Sequence, residues 1–222
     1  MPGNDIPRQY LWMIAAILAA SLLLVRVGGG SFSRMRNYVD LAFMGAAFLL
    51  LETKNIVQFA LLFGTTWLVN SLVFAGVLIA VYLAVETASR VRLPRPAVLY
   101  TALMASLALT WVVPQESLVG LPIVARFFAG SALAFAPIYL ANLIFAQRFA
   151  DVATSGDAFA ANLLGAMVGG VLEYIALITG YRFLLIVIAG LYGLAFVTSR
   201  LLTRRQPAGA AGAGVQAPVG VR

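Results

Sequence analysis

Hydrophobic positions along the chain gather into long runs that are separated by short polar stretches. Each run approaches or exceeds the roughly 20 residues that an α-helix needs to cross a bilayer. Glycine, proline and arginine collect between the runs, as is typical of turns and membrane-flanking loops. The predicted membrane segments are residues 10–27, 39–63, 65–85, 97–113, 118–145, 159–180 and 183–199. The pattern therefore predicts an all-α membrane protein, a polytopic bundle of about seven transmembrane helices.

The same pattern predicts one folded domain with two short ends. Residues 1–9 are a short polar N-terminus, and residues 10–200 are a single transmembrane domain. The first segment lacks an A-x-A cleavage pattern, so we expect it to be retained as a helix. Residues 201–222 are rich in Ala, Gly, Pro and Val, and we expect a disordered cytoplasmic tail there.

Basic residues are divided unequally between the two sides of the predicted bundle. Seven segments leave two arginines, Arg8 and Arg182, on one side and eleven on the other. Because cytoplasmic loops are enriched in Lys and Arg, we predict that the N-terminus is outside and the C-terminus is cytoplasmic. The eleven are Arg26, Arg34, Arg36, Arg90, Arg92, Arg95, Arg148, Arg200, Arg204, Arg205 and Arg222.

Composition supports the membrane prediction and excludes several classes of function. Hydrophobic residues make up 62% of the 222 positions, charged residues make up 10%, and the mean hydropathy is +0.96. The net charge of +7 comes from loop arginines, so we expect a lipid bilayer and no nucleic acid as partner. The chain has no Cys and no His, which excludes thiolate nucleophiles, imidazole bases and most soft metal sites. We predict no catalytic residue, cofactor or metal.

Polar side chains interrupt the second segment in the stretch FLLLETKNIVQF, residues 48–59. On a helix, Glu52, Lys54, Asn55 and Gln58 occupy an arc of about 160°, so one face of the helix avoids lipid. An ionised side chain at the bilayer centre costs at least about 2.5–3.5 kcal/mol, and this face should therefore meet protein or a wet cavity. Glu52 and Lys54 point about 200° apart and cannot pair with each other.

Two more intramembrane charges have a similar expected depth. At about 1.5 Å per residue, Glu52, Lys54, Arg126 and Glu173 lie roughly 16, 13, 12 and 10 Å from the outer face. Their charges sum to zero, and we expect Arg126 to pair with one carboxylate and Lys54 with the other. Two interpretations stay open: a structural clamp between helices, or a substrate or proton site. In a site, the carboxylates would hold a cation and Arg126 would suit an anion.

Small residues form a stripe on the sixth segment. Ala161, Gly165, Gly169 and Glu173 are spaced by four and share one face of a helix. Small residues let a neighbouring helix approach closely, and the run GAMVGG contains a GxxxG pattern. Packing within the chain is favoured over dimerisation, because the stripe would then carry Glu173 to a buried partner.

Two long motifs resemble a known family. The segments FMGAAFLLLETKNIVQFALLFGTTWLVNSLVF and FAANLLGAMVGGVLEYIALITGYRFLL are similar to the C-terminal membrane region of bacterial spermidine synthase-like proteins. In that family a domain resembling polyamine aminopropyltransferases is fused to multi-pass membrane segments. Here only MPGND precedes the stretch IPRQYLW, so the family's catalytic domain is absent from this chain and no enzymatic activity is expected.

Two functions follow as expectations. The resemblance implies a non-catalytic membrane subunit or anchor, which would assemble with a separate aminopropyltransferase-like enzyme or with copies of itself. The alternative is a small-solute transporter, for a polyamine or another cation, with its site on the second, fifth and sixth segments. Polar residues near the midplane on several helices favour the transporter, and a mutually paired, neutral set of the four charges favours the anchor.

Overall fold

A computed structural model describes residues 8–27 and 32–205 of the chain. This described part is predominantly helical and contains no β-strand. A helix lies at each of the seven predicted segments. In chain order the helices are α1 (Arg8–Val27), α2 (Phe32–Met35), a short 3-10 helix (Arg36–Tyr38), α3 (Val39–Phe63), α4 (Trp67–Arg90), α5 (Pro96–Val112), α6 (Gln115–Val119), α7 (Ile123–Ala150), α8 (Ser155–Thr179) and α9 (Tyr181–Arg205).

The protein is an all-α membrane bundle. Within the described residues, five helical stretches are long and apolar enough to cross a bilayer, and Pro96–Val112 is apolar but shorter. Large apolar side chains cover the outside, as at Trp67, which is 79% exposed, and Leu78, which is 69% exposed. Such a surface is stable only against lipid. The five stretches are Ser33–Phe63, Trp67–Arg90, Ile123–Ala150, Ser155–Tyr174 and Arg182–Leu202.

Helix α3 forms the centre of the bundle. It packs against α8 and α9 along most of its length and also contacts α4 and α7. Leu41, Leu50, Leu51 and Phe59 are all fully buried along it. Gly64, with φ of 92°, ends α3 in a conformation that side chains rarely adopt, and Thr66 caps the start of α4 by accepting from the Val69 N–H. The buried face of such a helix is where polar residues become isolated from lipid.

Small residues bring α3 and α8 into close contact. A Cβ atom added at Gly165 would lie 1.8 Å from the backbone oxygen of Ala42, and one added at Gly169 would lie 2.6 Å from that of Ala46. Ala161 is buried one turn earlier on the same face of α8. The predicted stripe of small residues therefore lies against α3 within one chain.

Several predicted boundaries differ from the structure: α4 and α7 extend to Arg90 and Ala150, α8 begins at Ser155, and two further differences affect a site residue and the tail. The predicted segment 118–145 is broken at Gly120 and Pro122, so α7 begins only at Ile123. Helix α9 continues to Arg205, which takes up the first part of the predicted tail. The predicted polar N-terminus up to residue 7, the loop at 28–31 and the rest of the tail, 206–222, lie outside the described residues.

Candidate binding site

The polar face of α3 contains a lysine enclosed by amides. Lys54, Asn55 and Gln58 are each 0% exposed. The Lys54 Nζ donates to Asn55 Oδ1 at 3.1 Å and to Gln58 Oε1, one helical turn away. Lys54 is also the only lysine in the chain. It lies about 13 Å along the axis from the C-terminal end of α3, a helix long and apolar enough to cross a bilayer core of about 30 Å.

Helix α7 completes the other wall of this cluster. Asn55 donates from Nδ2 to the backbone oxygen of Ala134 at 2.9 Å. Pro137 has no N–H, so the carbonyl four residues earlier, that of Leu133, loses its helical donor. The Thr110 hydroxyl of α5 shares its hydrogen between this carbonyl, at 3.2 Å, and the Ser106 carbonyl of its own helix, at 2.9 Å. Side chains of neighbouring helices thus satisfy the backbone around the proline, as they do in other membrane helices.

The cluster contains more hydrogen-bond donors than acceptors. A lysine ammonium has three N–H groups, and here two of them meet amide oxygens. The Gln58 Nε2 is buried and has no hydrogen-bond partner among the described residues. Both amide oxygens are already occupied by Lys54. The unsatisfied groups are therefore all N–H donors.

No carboxylate neutralises Lys54 in the described part of the chain. The ion pairs found there join Arg34 to Asp157, Arg90 to Glu86, and Arg148 to Asp40. Glu52, only two residues away, is half-buried and forms neither an ion pair nor a hydrogen bond there. Its direction on the helix, about 200° from Lys54, accounts for this separation.

Arg126 does not lie at the depth expected from the sequence. It falls in the first turn of α7, because the helix begins at Ile123, and it binds backbone carbonyls. Nη1 donates to Leu62 at the end of α3 at 3.4 Å, and Nη2 donates to Leu121 at 3.1 Å and to Val119. A cation suits these positions, since the last carbonyls of a helix carry partial negative charge. The expected pairing of Arg126 with Glu52 or Glu173 is therefore wrong for the described structure.

Glu173 lies on the surface of α8. The small-residue stripe does not carry it to a buried partner, because residues spaced by four advance about 40° around a helix at each step. Ala161 and Glu173, three steps apart, differ by about 120°, which takes the glutamate off the face that meets α3. The four expected charges are thus separate: Lys54 is buried, Glu52 is half-buried, Arg126 caps helix ends, and Glu173 is exposed.

The opposite end of the α3–α7 contact contains an ion pair that the sequence did not suggest. Asp40 is 0% exposed, and its Oδ2 lies 2.6 Å from Nε of Arg148, which is 21% exposed. The Arg148 guanidinium lies 6.0 Å from the centre of the Tyr38 ring, and the Tyr38 hydroxyl contacts the Thr154 hydroxyl at 2.9 Å. The sequence feature that could have indicated this pair is the position of Asp40, an acidic residue at the arginine-rich end of an apolar segment.

Aromatic rings fill the contact between Gln58 and the C-terminal end of α3. Phe59 lies 5.6 Å from Phe63 and 5.5 Å from Phe135, and Phe63 lies 6.2 Å from Phe127, measured between ring centroids. Such tilted and edge-on pairs pack densely and exclude water. The lysine cluster is therefore separated from the C-terminal end of α3 by a layer of phenylalanines.

Neither a metal site nor a related protein gives this cluster a function. Among the described residues, no group of three or more His, Asp or Glu side chains is arranged to hold a metal ion. No protein-family model, curated protein or solved structure matches the chain. The resemblance to spermidine synthase-like membrane proteins consequently stays a prediction that rests on the quoted motifs.

Proposed function

We propose that this protein is a small-solute carrier of the bacterial inner membrane whose binding site is built around Lys54. The observation that carries the proposal is a fully buried lysine with only amide oxygens as partners among the described residues. A structural clamp made of mutually neutralised charges would favour an anchor, but those pairs are not formed. Intramembrane ionisable residues that lack such a partner mark substrate or ion sites.

Contacts at both ends of the α3–α7 interface support a carrier. At one end Asp40 pairs with Arg148, and at the other Arg126 donates to the carbonyl of Leu62. Lys54 lies between these contacts, so neither side of the membrane reaches it directly. An enclosed site between two closures is the arrangement that alternating access requires.

Recovery of bound solutes tests the proposal. Wild-type protein and Lys54→Met would be extracted from native membranes into nanodiscs, and released small molecules would be identified by mass spectrometry and ion chromatography. Gly190→Ala is the matched control, since a Cβ atom there meets nothing within 4 Å. We expect a solute that accompanies the wild type and the control but not Lys54→Met, and that the wild type then carries into liposomes. Identical solute profiles for all three proteins would overturn the proposal.

The proposed topology has seven crossings, with the N-terminus outside and the C-terminus in the cytoplasm. Helix α1, of 20 residues, and α5, of 17 residues, would supply the crossings beyond the five that length and hydropathy identify. The ion pair of Asp40 with Arg148 and the bond from Gln147 to the Pro94 carbonyl at 3.0 Å support it. They join the arginine-rich connections at one end of the bundle, as the positive-inside rule expects of a cytoplasmic face.

Single cysteines test this topology directly, because the chain contains no cysteine. Ser155→Cys lies at the start of α8 and Ser117→Cys in α6, and both positions are exposed. We expect a membrane-impermeant maleimide to label Ser117→Cys in intact cells and Ser155→Cys only after the membrane is opened. The reverse labelling would place the N-terminus in the cytoplasm.

Exposed Glu173 favours a second candidate function, that of a membrane subunit. A carboxylate on the surface of a membrane helix is costly unless a partner covers it. That partner would be an aminopropyltransferase-like enzyme with its own membrane helix, or a second copy of this chain. Purification in mild detergent with mass spectrometry tests this. A stoichiometric companion that is lost in Glu173→Gln would support the subunit, and a chain that purifies alone would exclude it.

A further inference from the structure

We propose that the solute held by Lys54 is a small monovalent anion, such as formate, chloride or nitrate, rather than a polyamine or another cation. This inference rests on the proposed carrier function and specifies its substrate class. The first step is charge. Two charged side chains are fully buried among the described residues, and one of them, Asp40, already pairs with Arg148. Lys54 is the other, and a single negative charge would neutralise it.

The second step is whether the groups without a hydrogen-bond partner donate or accept. Every unsatisfied group of the cluster is a donor: the third N–H of Lys54 and both N–H groups of Gln58 Nε2. Asn55 contributes none, since its Oδ1 accepts from Lys54 and its Nδ2 donates to Ala134. A polyamine brings only further donors and further positive charge. An anion supplies the acceptors that these groups lack.

The third step is the position of the donors relative to one another. Gln58 Oε1 contacts the Lys54 Nζ, and Nε2 belongs to the same amide group. The free amide N–H groups therefore belong to the group that contacts the ammonium, and an acceptor of one to four non-hydrogen atoms is small enough to bridge the two. Lys54 and Gln58 are themselves 0% exposed, and Leu50, Leu51 and Phe59 on the same helix are fully buried, which favours a small ion.

The unique lysine makes this inference directly measurable. Protein labelled with ¹⁵N at the lysine side chain gives a single Nζ resonance, because Lys54 is the only lysine. The sample would be reconstituted in liposomes and titrated with ¹³C-formate, sodium chloride or sodium nitrate, and separately with spermidine. We expect an ammonium resonance that moves on addition of anions, and a ¹³C–¹⁵N dipolar contact between formate and Nζ.

Gln58→Leu provides a second variant that keeps the lysine. It removes both amide N–H donors together with the Oε1 atom that accepts from Lys54. Because two donors to the anion are lost and only one Lys54 N–H is released, we expect formate to bind about tenfold or more weakly while Nζ remains an ammonium. Unchanged formate affinity in this variant would contradict the assigned role of Gln58 Nε2.

Two outcomes would overturn the anion inference and leave the carrier proposal standing. One is a neutral-amine resonance that none of the anions moves, which would make Lys54 an uncharged hydrogen-bonding group. The other is a response to spermidine and none to the anions. Failure of the carrier proposal looks different, since wild type and Lys54→Met would then release the same solutes from native membranes.

Discussion

Replacing Lys54 with methionine distinguishes a role of this residue in binding solute from a role in stabilising the fold. The change removes the charge and keeps a long apolar side chain in a fully buried position. It also leaves the Asn55 Oδ1 and Gln58 Oε1 atoms without their donor. The free Nε2 of Gln58 can turn to serve one of these oxygens, so that one unsatisfied acceptor remains.

The expected change in stability is small because two effects oppose each other. An unsatisfied buried acceptor costs about 1–3 kcal/mol. Removing an ammonium from the membrane interior returns at least about 2.5–3.5 kcal/mol. We therefore expect the free energy of unfolding without solute to lie roughly between no change and a gain of about 2 kcal/mol, while solute binding is lost.

Reversible unfolding in mixed micelles, titrated with SDS and followed by circular dichroism, measures this difference. Leu51→Ala on the same helix is the control for sensitivity, since truncation of a fully buried leucine should cost about 2–5 kcal/mol. The reasoning would be refuted if Lys54→Met lost about 3–5 kcal/mol and Glu52→Gln restored the loss. That result is the one expected for a buried ion pair from which one partner has been removed.

The same assay checks three further expectations. Gly165→Ala should destabilise the fold, because its Cβ would clash with the backbone of α3. Gly190→Ala faces open space and should be neutral or stabilising by up to about 1 kcal/mol. Equal effects of the two variants would contradict the close contact between α3 and α8. Thr110→Val should cost about 1–3 kcal/mol by leaving a carbonyl unpaired, and Pro137→Ala, which restores an N–H, should recover part of it; additive losses would argue against this link. Glu173→Gln should change stability by less than about 0.5 kcal/mol, and a larger loss would indicate a buried partner.

Most of the fold could be predicted because apolar length alone defines a membrane helix. The boundary error that moved a predicted site residue lies at Gly120 and Pro122, where apolar residues flank the break and conceal it in a hydropathy pattern. The error changed the position of Arg126. Counted from residue 118 it lies deep in a helix, but counted from Ile123 it lies in the first turn, within reach of the carbonyls that it binds.

Side-chain pairing could be predicted less well, since it depends on where two helices cross. The spacing of Ala161, Gly165 and Gly169 identifies a face of α8, and this face does lie against α3. The same spacing says nothing about where the contact ends, and Glu173 falls beyond it. The ion pair of Asp40 with Arg148 joins positions 108 residues apart, and only the assembled bundle brings them together.

The contacts along α3 differ in how easily water can replace them. Arg148 is 21% exposed, and Arg126 is also partly exposed, so each can exchange its partner for water at a membrane surface. The Asn55 amide, which donates to Ala134 of α7, is fully buried and has no such exchange available. In the proposed carrier, separating α3 from α7 at either end therefore costs less than separating them at Asn55. The two ends would open in turn about a central contact between Asn55 and Ala134 that stays closed.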